Sequence, residues 1–450
     1  MNNEKQNKMA VMPMGKLVFS MSLPLMISLL VQSLYNIVDG IFVARISENA
    51  LTATSLAYPI QVLMIAVSVG TGVGVNALIS RQIGAKQKEA ANQTAVTGLV
   101  ISVICAAFFM LLGIFFADDF GIWFTDDPVT GELCGSYLSI CMIFCLGIFV
   151  ETLAQRLLQS VGLTLLSMIS LVVGAVVNLI LDPIMIFGLF GCPEMGIRGA
   201  AIATVIGQWM GAGVALALNR FKNTEIHLSW KKFKMTKDCV WAIYKVGFPT
   251  IVMQAIGSIM LFSVNAILMS FSATAVAFYG VYYKLQNFLM MPINGLGQAA
   301  IPIVGFNYGA KDKDRIKAVL KTMLPFAVGF ALFGTVLFMA IPSQILTLFA
   351  AGSEMLAIGV PALRIISVTF ALAAVSIILG FTCSGLGNGV INMVGTALRQ
   401  LILLVPAIYL FTANNGIQSA WFAMWISEGI AVVYCILSTR KEFQKKVDIL

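Results

Sequence analysis

Histidine is almost absent from this 450-residue chain. The single copy, His227, sits in a basic stretch, so imidazole metal or acid–base chemistry has nothing to build on. Charge is scarce too, at 11% of residues. The eight cysteines (Cys105, Cys134, Cys141, Cys145, Cys192, Cys239, Cys383 and Cys435) fall mostly inside apolar runs. Cys141 and Cys145 share a helical face but have no further thiol or imidazole at zinc-site spacing, so they read as small hydrophobes. No Ser–His–Asp set and no nucleotide motif appears. Gly70-Thr71-Gly72-Val73-Gly74 imitates a phosphate loop, yet no strand precedes it and no Gly-Lys-Ser/Thr follows. Small residues packing helix on helix account for it. Enzyme chemistry, cofactors and structural metals are therefore not expected.

Apolar sequence is plentiful instead. Hydrophobic residues make up 59% of the chain, mean hydropathy is +0.93, and apolar runs of about 20 residues recur, as expected of a polytopic membrane protein. The first run, from about Leu17 to Val43, is too long for a signal-peptide core and reads as an uncleaved span. Polar and Gly/Pro breaks divide the chain into twelve expected helices: 17–43, 51–79, 93–117, 135–156, 163–189, 197–219, 240–268, 273–303, 316–340, 356–381, 388–411 and 416–438.

The halves repeat at an offset of 225 residues. Ser22-Leu23-Pro24 answers Gly247-Phe248-Pro249, Tyr58 answers Tyr283, and Gly84-Ala85-Lys86 answers Gly309-Ala310-Lys311. Leu158 to Gly162 pairs with Cys383 to Gly387, while Gly196-Ile197 pairs with Gly416-Ile417, so a few residues are lost before the last span. Two six-helix halves facing one cavity are the expected architecture, that of an alternating-access carrier. The expected division is 1–221 for the first lobe, 222–238 for a linker, and 239–450 for the second lobe with its basic tail.

Lys and Arg set the expected orientation. With the N-terminus inside, the inner connectors hold Arg81, Lys86, Lys88, Arg156, Arg220, Lys222, Lys231, Lys232, Lys234, Lys237, Lys311, Lys313, Arg315, Lys317 and Lys321. Lys5, Lys8 and Lys16 precede them and Arg440, Lys441, Lys445 and Lys446 follow. The outer connectors hold only Arg45 and Arg198, beside Asp118, Asp119, Asp126, Asp127, Glu132, Glu194 and Glu354. Both termini are expected in the cytoplasm of a cell (plasma or inner) membrane. The net charge of +8 is then topological, and nucleic acid is not an expected partner.

Four carboxylates fall within the expected spans: Asp39, Glu151, Asp182 and Glu428. Each costs a few kcal/mol in hydrocarbon unless it faces a cavity or a partner. Helical spacing groups Tyr35 and Asn36 with Asp39, and Asn178 with Asp182. The two aspartates lie at similar depths, so they can share one site. There, one carboxyl can hold a proton, or Asp39, Asn178, Asp182 and Thr204 can supply oxygens to Na⁺. The alternative is that both merely bond helix ends or water. Glu151 lies near Arg156 and reads as a snorkelling, ion-paired or functional group. In the second half Val264 replaces Asp39, and Lys284, Arg399 and Glu428 stand in spans eight, eleven and twelve. Glu428 is expected to pair with Lys284 or Arg399, as a structural or a cavity pair. Pro24 and Pro183 are expected to kink their helices, with Pro24 a candidate hinge.

Taken together, Pro24, Tyr35-Asn36-Ile37-Val38-Asp39-Gly40, the paired Gly-Ala-Lys motifs, Asn178 with Asp182-Pro183, and Pro292 to Gln298 with Pro302 resemble the MATE (multidrug and toxic compound extrusion) family of the MOP superfamily. The resemblance spans essentially the whole chain. It implies an all-α fold of two six-helix bundles related by a pseudo-twofold axis. It also implies an antiporter that exports amphipathic cationic drugs in exchange for H⁺ or Na⁺, with no other cofactor, acting as a monomer in the bilayer. In the branch with an acidic first lobe the matching positions are Pro24, Tyr35, Asp39, Asn178, Asp182 and Thr204. The chain departs from the branch with acids in helices seven and eight. A flippase for lipid-linked sugars, favoured by Lys284 and Arg399 and opposed by the aspartates, is the alternative; a membrane-embedded transferase is a more distant one.

Overall fold

The computed structural model describes residues 7–229, 233–349 and 351–450. Lys5, Lys231 and Lys232, counted above among the inner cations, lie outside the described residues, as does the side chain of Asp118. No strand occurs among the described residues. A chain this apolar must satisfy its backbone within each segment, and the helix does so.

After a short α1 (Lys8–Val11) come α2 (Met14–Ala44), α3 (Glu48–Gly84), α4 (Lys88–Phe124), α5 (Pro128–Ile143), α6 (Leu146–Ser160), α7 (Thr164–Phe187) and α8 (Ile197–Lys222). The second half runs α9 (Lys237–Met269), α10 (Ala273–Gly309), α11 (Lys313–Ala340), α12 (Pro342–Thr347), α13 (Ser353–Ser367), α14 (Phe370–Gly385), α15 (Gly389–Ala397), α16 (Leu404–Asn415) and α17 (Ala423–Lys446). Among the described residues ten helical segments are long and apolar enough to span a bilayer; the pairs α5/α6 and α13/α14, each bent by 48°, bring the number to twelve if each pair is one span.

Those two bends correct the sequence reading, which treated the fourth and tenth spans as single helices. At the first, Cys145 N–H bonds the Met142 carbonyl and Ile148 N–H the Cys145 carbonyl; at the second, Thr369 N–H bonds Ile366. These i→i−3 bonds replace the α-helical ladder, tightening the turn and redirecting the axis. Because α6 continues to Ser160, Arg156 is not a connector cation: it is buried within the helix and donates to Gln159 Oε1 at 2.9 Å. Pro24 does not interrupt α2, nor Pro183 α7; each sits inside one continuous helix.

The duplication is visible in backbone detail. Ser47 and Ser272 cap α3 and α10, accepting from Ala50 N–H and Ala275 N–H. Lys86 and Lys311 both turn left-handed with φ of 60°, where a non-glycine residue costs about 1 kcal/mol. Gly162 and Gly387 are also left-handed. The offset shrinks where α7 is followed by a nine-residue connector, 188–196, and α16 by Gly416 alone.

Contacts divide the chain into two compact units. The first comprises Asn7 with Ile27–Ile251, the second Lys8–Met26 with Val252–Leu450. Both divisions inside a helix fall two residues after an equivalent proline, Pro24 in α2 and Pro249 in α9. The core of the first unit gathers Ala53, Ala57, Phe109, Leu138, Met142, Phe149 and Ala201, with Phe109 and Phe149 ring centroids 6.0 Å apart. The second centres on Phe278, Tyr282 and Trp421, where Phe278 meets Trp421 edge-on at 5.1 Å.

Candidate cation site

The acidic residues of the first unit converge on the α7–α8 seam. Small residues make that seam close: a Cβ on Gly174 would lie 2.9 Å from the Gly207 carbonyl, and one on Gly207 would lie 2.8 Å from the Gly174 carbonyl. Gly207 and Gly211 form the small-xxx-small spacing that lets membrane helices approach. One turn from Gly174, Asn178 Nδ2 donates to Asp182 Oδ1 at 3.2 Å within α7, and to Thr204 Oγ1 of α8 at 3.4 Å. The Asn178–Asp182–Thr204 grouping expected from the sequence is thus a hydrogen-bonded set. Asp182 is fully buried and Asn178 nearly so.

From α2, Asp39 brings a second carboxylate, near enough for its charge to act on Asp182. Tyr35, also on α2, lies within electrostatic reach of Glu151, Asp39 and Asp182. Asn36 is exposed, and its side chain makes no hydrogen bond among the described residues, so the structure does not bring it into the cluster. Glu151 accepts from Gln155 Nε2 at 3.1 Å and presses on Gly211, where a Cβ would collide with its carboxylate.

Two side chains that sequence reasoning passed over belong here. The buried Tyr137 of α5 accepts from Gln61 Nε2 of α3 at 3.3 Å, and Gln61 also reaches Cys141 Sγ at 3.7 Å. Tyr137 feels the charges of both Asp39 and Asp182. A tyrosine and a glutamine inside apolar runs, with Cys141 one turn from Tyr137, were the available signal.

The cluster is short of donors. Asp39 Oδ1, Asn178 Oδ1 and Asp182 Oδ2 are buried without a hydrogen-bond partner among the described residues. An unsatisfied buried acceptor costs about 1–3 kcal/mol, more when charged. A proton on one carboxyl, or a small hard cation among the three oxygens and the Thr204 hydroxyl, removes that cost. The second unit lacks the cluster: at the repeat offset Met260 stands for Tyr35, Val264 for Asp39, Leu403 for Asn178 and Ala407 for Asp182. Its buried acids among the described residues are both paired: Glu428 with Arg399 at 3.8 Å, not with Lys284, which is exposed, and Glu442 with Lys446 at 2.6 Å. Arg399 sits in a π-helical stretch, Leu398–Ile402, that the sequence did not reveal.

A duplicated, membrane-spanning helical fold with an unsatisfied acidic cluster in one copy is that of a transporter. The chain belongs to the MatE family, whose model matches residues 24–184 and 249–410; it is a transporter and not an enzyme. It is similar to the multidrug export protein MepA of Staphylococcus haemolyticus (strain JCSC1435), 25% identical over 419 residues, covering 92% of this chain and 91% of the relative. MepA of Staphylococcus aureus (strain MRSA252) is 23% identical over 430 residues, covering 94% and 93%. A multidrug resistance MATE family transporter of the MOP superfamily, solved in an outward-facing conformation, superposes with a TM-score of 0.91 at 24% identity, each chain covered completely.

Proposed function

We propose that the protein is a secondary active multidrug efflux antiporter of the cell membrane, both termini cytoplasmic, exporting amphipathic cationic drugs in exchange for H⁺ or Na⁺. The observation that carries this reading is the set of three unpartnered buried oxygens on Asp39, Asn178 and Asp182, whose repeat counterparts are apolar. A fold that needs polar groups there would need them in both copies.

Asp39 and Asp182 take up the coupling cation, with Asn178 and Thr204 as neutral oxygens and Tyr35 adjusting the field around them. Occupancy relieves carboxylate repulsion and favours one arrangement of α2 relative to α7. Pro24 is the hinge: it lacks the N–H that would bond the residue four before it, and α2 changes unit two residues later. Ion and drug then influence each other through alternating access, a linkage that must be reciprocal in binding free energy. MepA, by its name, exports multiple drugs, which supports the substrate class. The flippase alternative wants a cationic cavity; Arg399 is engaged by Glu428, which leaves Lys284 as the one cation of its pair still unengaged among the described residues.

Everted vesicles or proteoliposomes with pH and Na⁺ gradients imposed separately test this. Wild type should export an ethidium-type dye under one gradient, and Asp39→Asn or Asp182→Asn should abolish that dependence. Full gradient-driven export by both variants would refute the assignment.

A further inference from the structure

Helix α2 is packed unevenly along its length. Leu17, Val18, Met21, Ser22, Pro24 and Leu25 are buried, whereas after Ser28 no residue is buried until Val43. The loosely packed stretch, 29–42, carries Tyr35 and Asp39. The tightly packed start belongs to the second unit, and the helix from Ile27 onward to the first. A stretch with few buried contacts shifts at low cost, whereas a close-packed one keeps its place.

A specific clamp adds to that packing. The short α1 ends at Val11, just before Pro13. In a continuing helix the Met9 carbonyl would accept from the N–H of residue 13, but proline has none. Arg315 of α11 answers it instead: its Nη2 donates to the Met9 carbonyl and to the Met12 carbonyl, each at 2.9 Å. The same guanidinium is held from behind, where Nε donates to Asn307 Oδ1 of α10 at 3.1 Å. Asn307 is buried and fixed in turn, its Nδ2 donating to the Ile303 carbonyl at 2.7 Å. A rigid fork of donors that serves several acceptors at once is what a guanidinium supplies and an ammonium does not. Beside the clamp the Met9 side chain is fully buried. The arrangement is not inherited from the duplication, since at the repeat offset Ala90 stands for Arg315 and Gln82 for Asn307.

Building on the export reading, we propose that Arg315 is a positioning residue for ion coupling. It anchors the start of α2 to α10 and α11, so that cation uptake at Asp39 and Asp182 moves only the stretch beyond Pro24. A helix free at its start answers the ion by sliding or tilting as one rod. With the start held, the same displacement of Asp39 must be taken up as bending at the proline. Arg315 touches neither ion nor drug; it decides which part of α2 the ion moves.

Hydrogen exchange on the full-length protein in lipid nanodiscs, with pH and Na⁺ varied separately, tests this beside dye export from proteoliposomes. In wild type the coupling ion should change exchange about threefold or more across 29–42 and leave 14–25 unchanged. Arg315→Gln should bring 8–25 into the ion response and lower export turnover about tenfold, with the dye KM within about twofold. Arg315→Lys, which keeps a donor for the carbonyls, should restore export to within about threefold of wild type. The wild-type contrast between 14–25 and 29–42 stands without any variant. An ion response along the whole of α2 in wild type, no response in α2 to either ion, or wild-type behaviour of Arg315→Gln would overturn the anchor. Faster exchange throughout Arg315→Gln, with dye binding lost alongside export, would show a purely structural arginine and overturn it equally. Each of these outcomes leaves the antiporter standing, because that reading falls only with gradient-driven export by Asp39→Asn and Asp182→Asn.

Discussion

Replacing Gly207 by alanine tests whether the α7–α8 seam holds the cation site in place. The new methyl carbon would sit 2.8 Å from the Gly174 carbonyl oxygen and 2.9 Å from Asn178 Cβ. Both neighbours belong to α7, so relief requires the helices to part by about 0.5 Å or more before carbon contacts become ordinary. The Asn178–Thr204 hydrogen bond, already 3.4 Å long, does not survive that movement. Overpacking of this kind costs about 1–3 kcal/mol. Gly213 supplies the control, since it lies in the same helix and an added Cβ there meets nothing within 4 Å. Both substitutions change helix propensity equally, so the difference between them isolates the clash. Unfolding of the purified variants in mixed detergent micelles should place Gly207→Ala about 1–3 kcal/mol below Gly213→Ala. Export driven by the coupling ion should fall for the first and hold for the second. Equal stability and equal export for the two would refute the claim that this seam positions Asn178 and Thr204.

Two further outcomes follow from charges outside that seam. Arg399→Met should leave Glu428 as a buried carboxylate without its partner and cost about 3 kcal/mol of stability, whereas the double variant Arg399→Met/Glu428→Gln should recover most of it, as read by the same unfolding assay. Near the C-terminus, Lys317 at 2.9 Å and Lys313 at 3.4 Å hold the Asp448 carboxyl below its usual range. A depressed folded-state value means the contact stabilises above the ordinary carboxylate range and is lost as pH falls through the lowered one. A spin label at position 450 should therefore gain mobility only in that acid window, and Asp448→Asn should be mobile at every pH; a label indifferent to both would show that the contact does not hold the tail.

Much of the fold was legible because hydrocarbon solvent imposes one rule on every span, and because the repeat let each half check the other. Ser47 and Ser272, or Lys86 and Lys311, occupy matching places because the same turn is built twice. Within the candidate site, the pairing of Asn178 with Asp182 follows from helical spacing, and Thr204 joined them once the length of the connector before α8 was known. What escaped the sequence depends on bonds between helices. The bend at Phe144-Cys145 has no proline to announce it, only Gly147 just beyond, and its Cys145 thiol bonds the Ala106 carbonyl of α4, a contact no local pattern encodes. Tyr137 and Gln61 stand 76 residues apart and meet only because α3 and α5 pack together. Arg156 looked like a loop cation because its burial is decided by where α6 ends. The π-helical stretch at Arg399 likewise has no compositional mark.

The two buried acids that differ most in their surroundings show what a coupling residue must look like. Glu428 faces a guanidinium on a neighbouring helical stretch through Oε1, so its charge is paired within the fold although Oε2 has no hydrogen-bond partner among the described residues. Asp182 is fully buried, answered by one amide N–H, and shares its field with Asp39. Its burial is costly in any state where it is charged and alone, and an arriving cation relieves that cost. A ligand shifts a conformational equilibrium only by its differential affinity for the two states. An acid whose partner is built into the chain offers little differential, whereas one whose partner must come from solution offers the whole of its unmet solvation. By that criterion the proposed ion site belongs in the first unit.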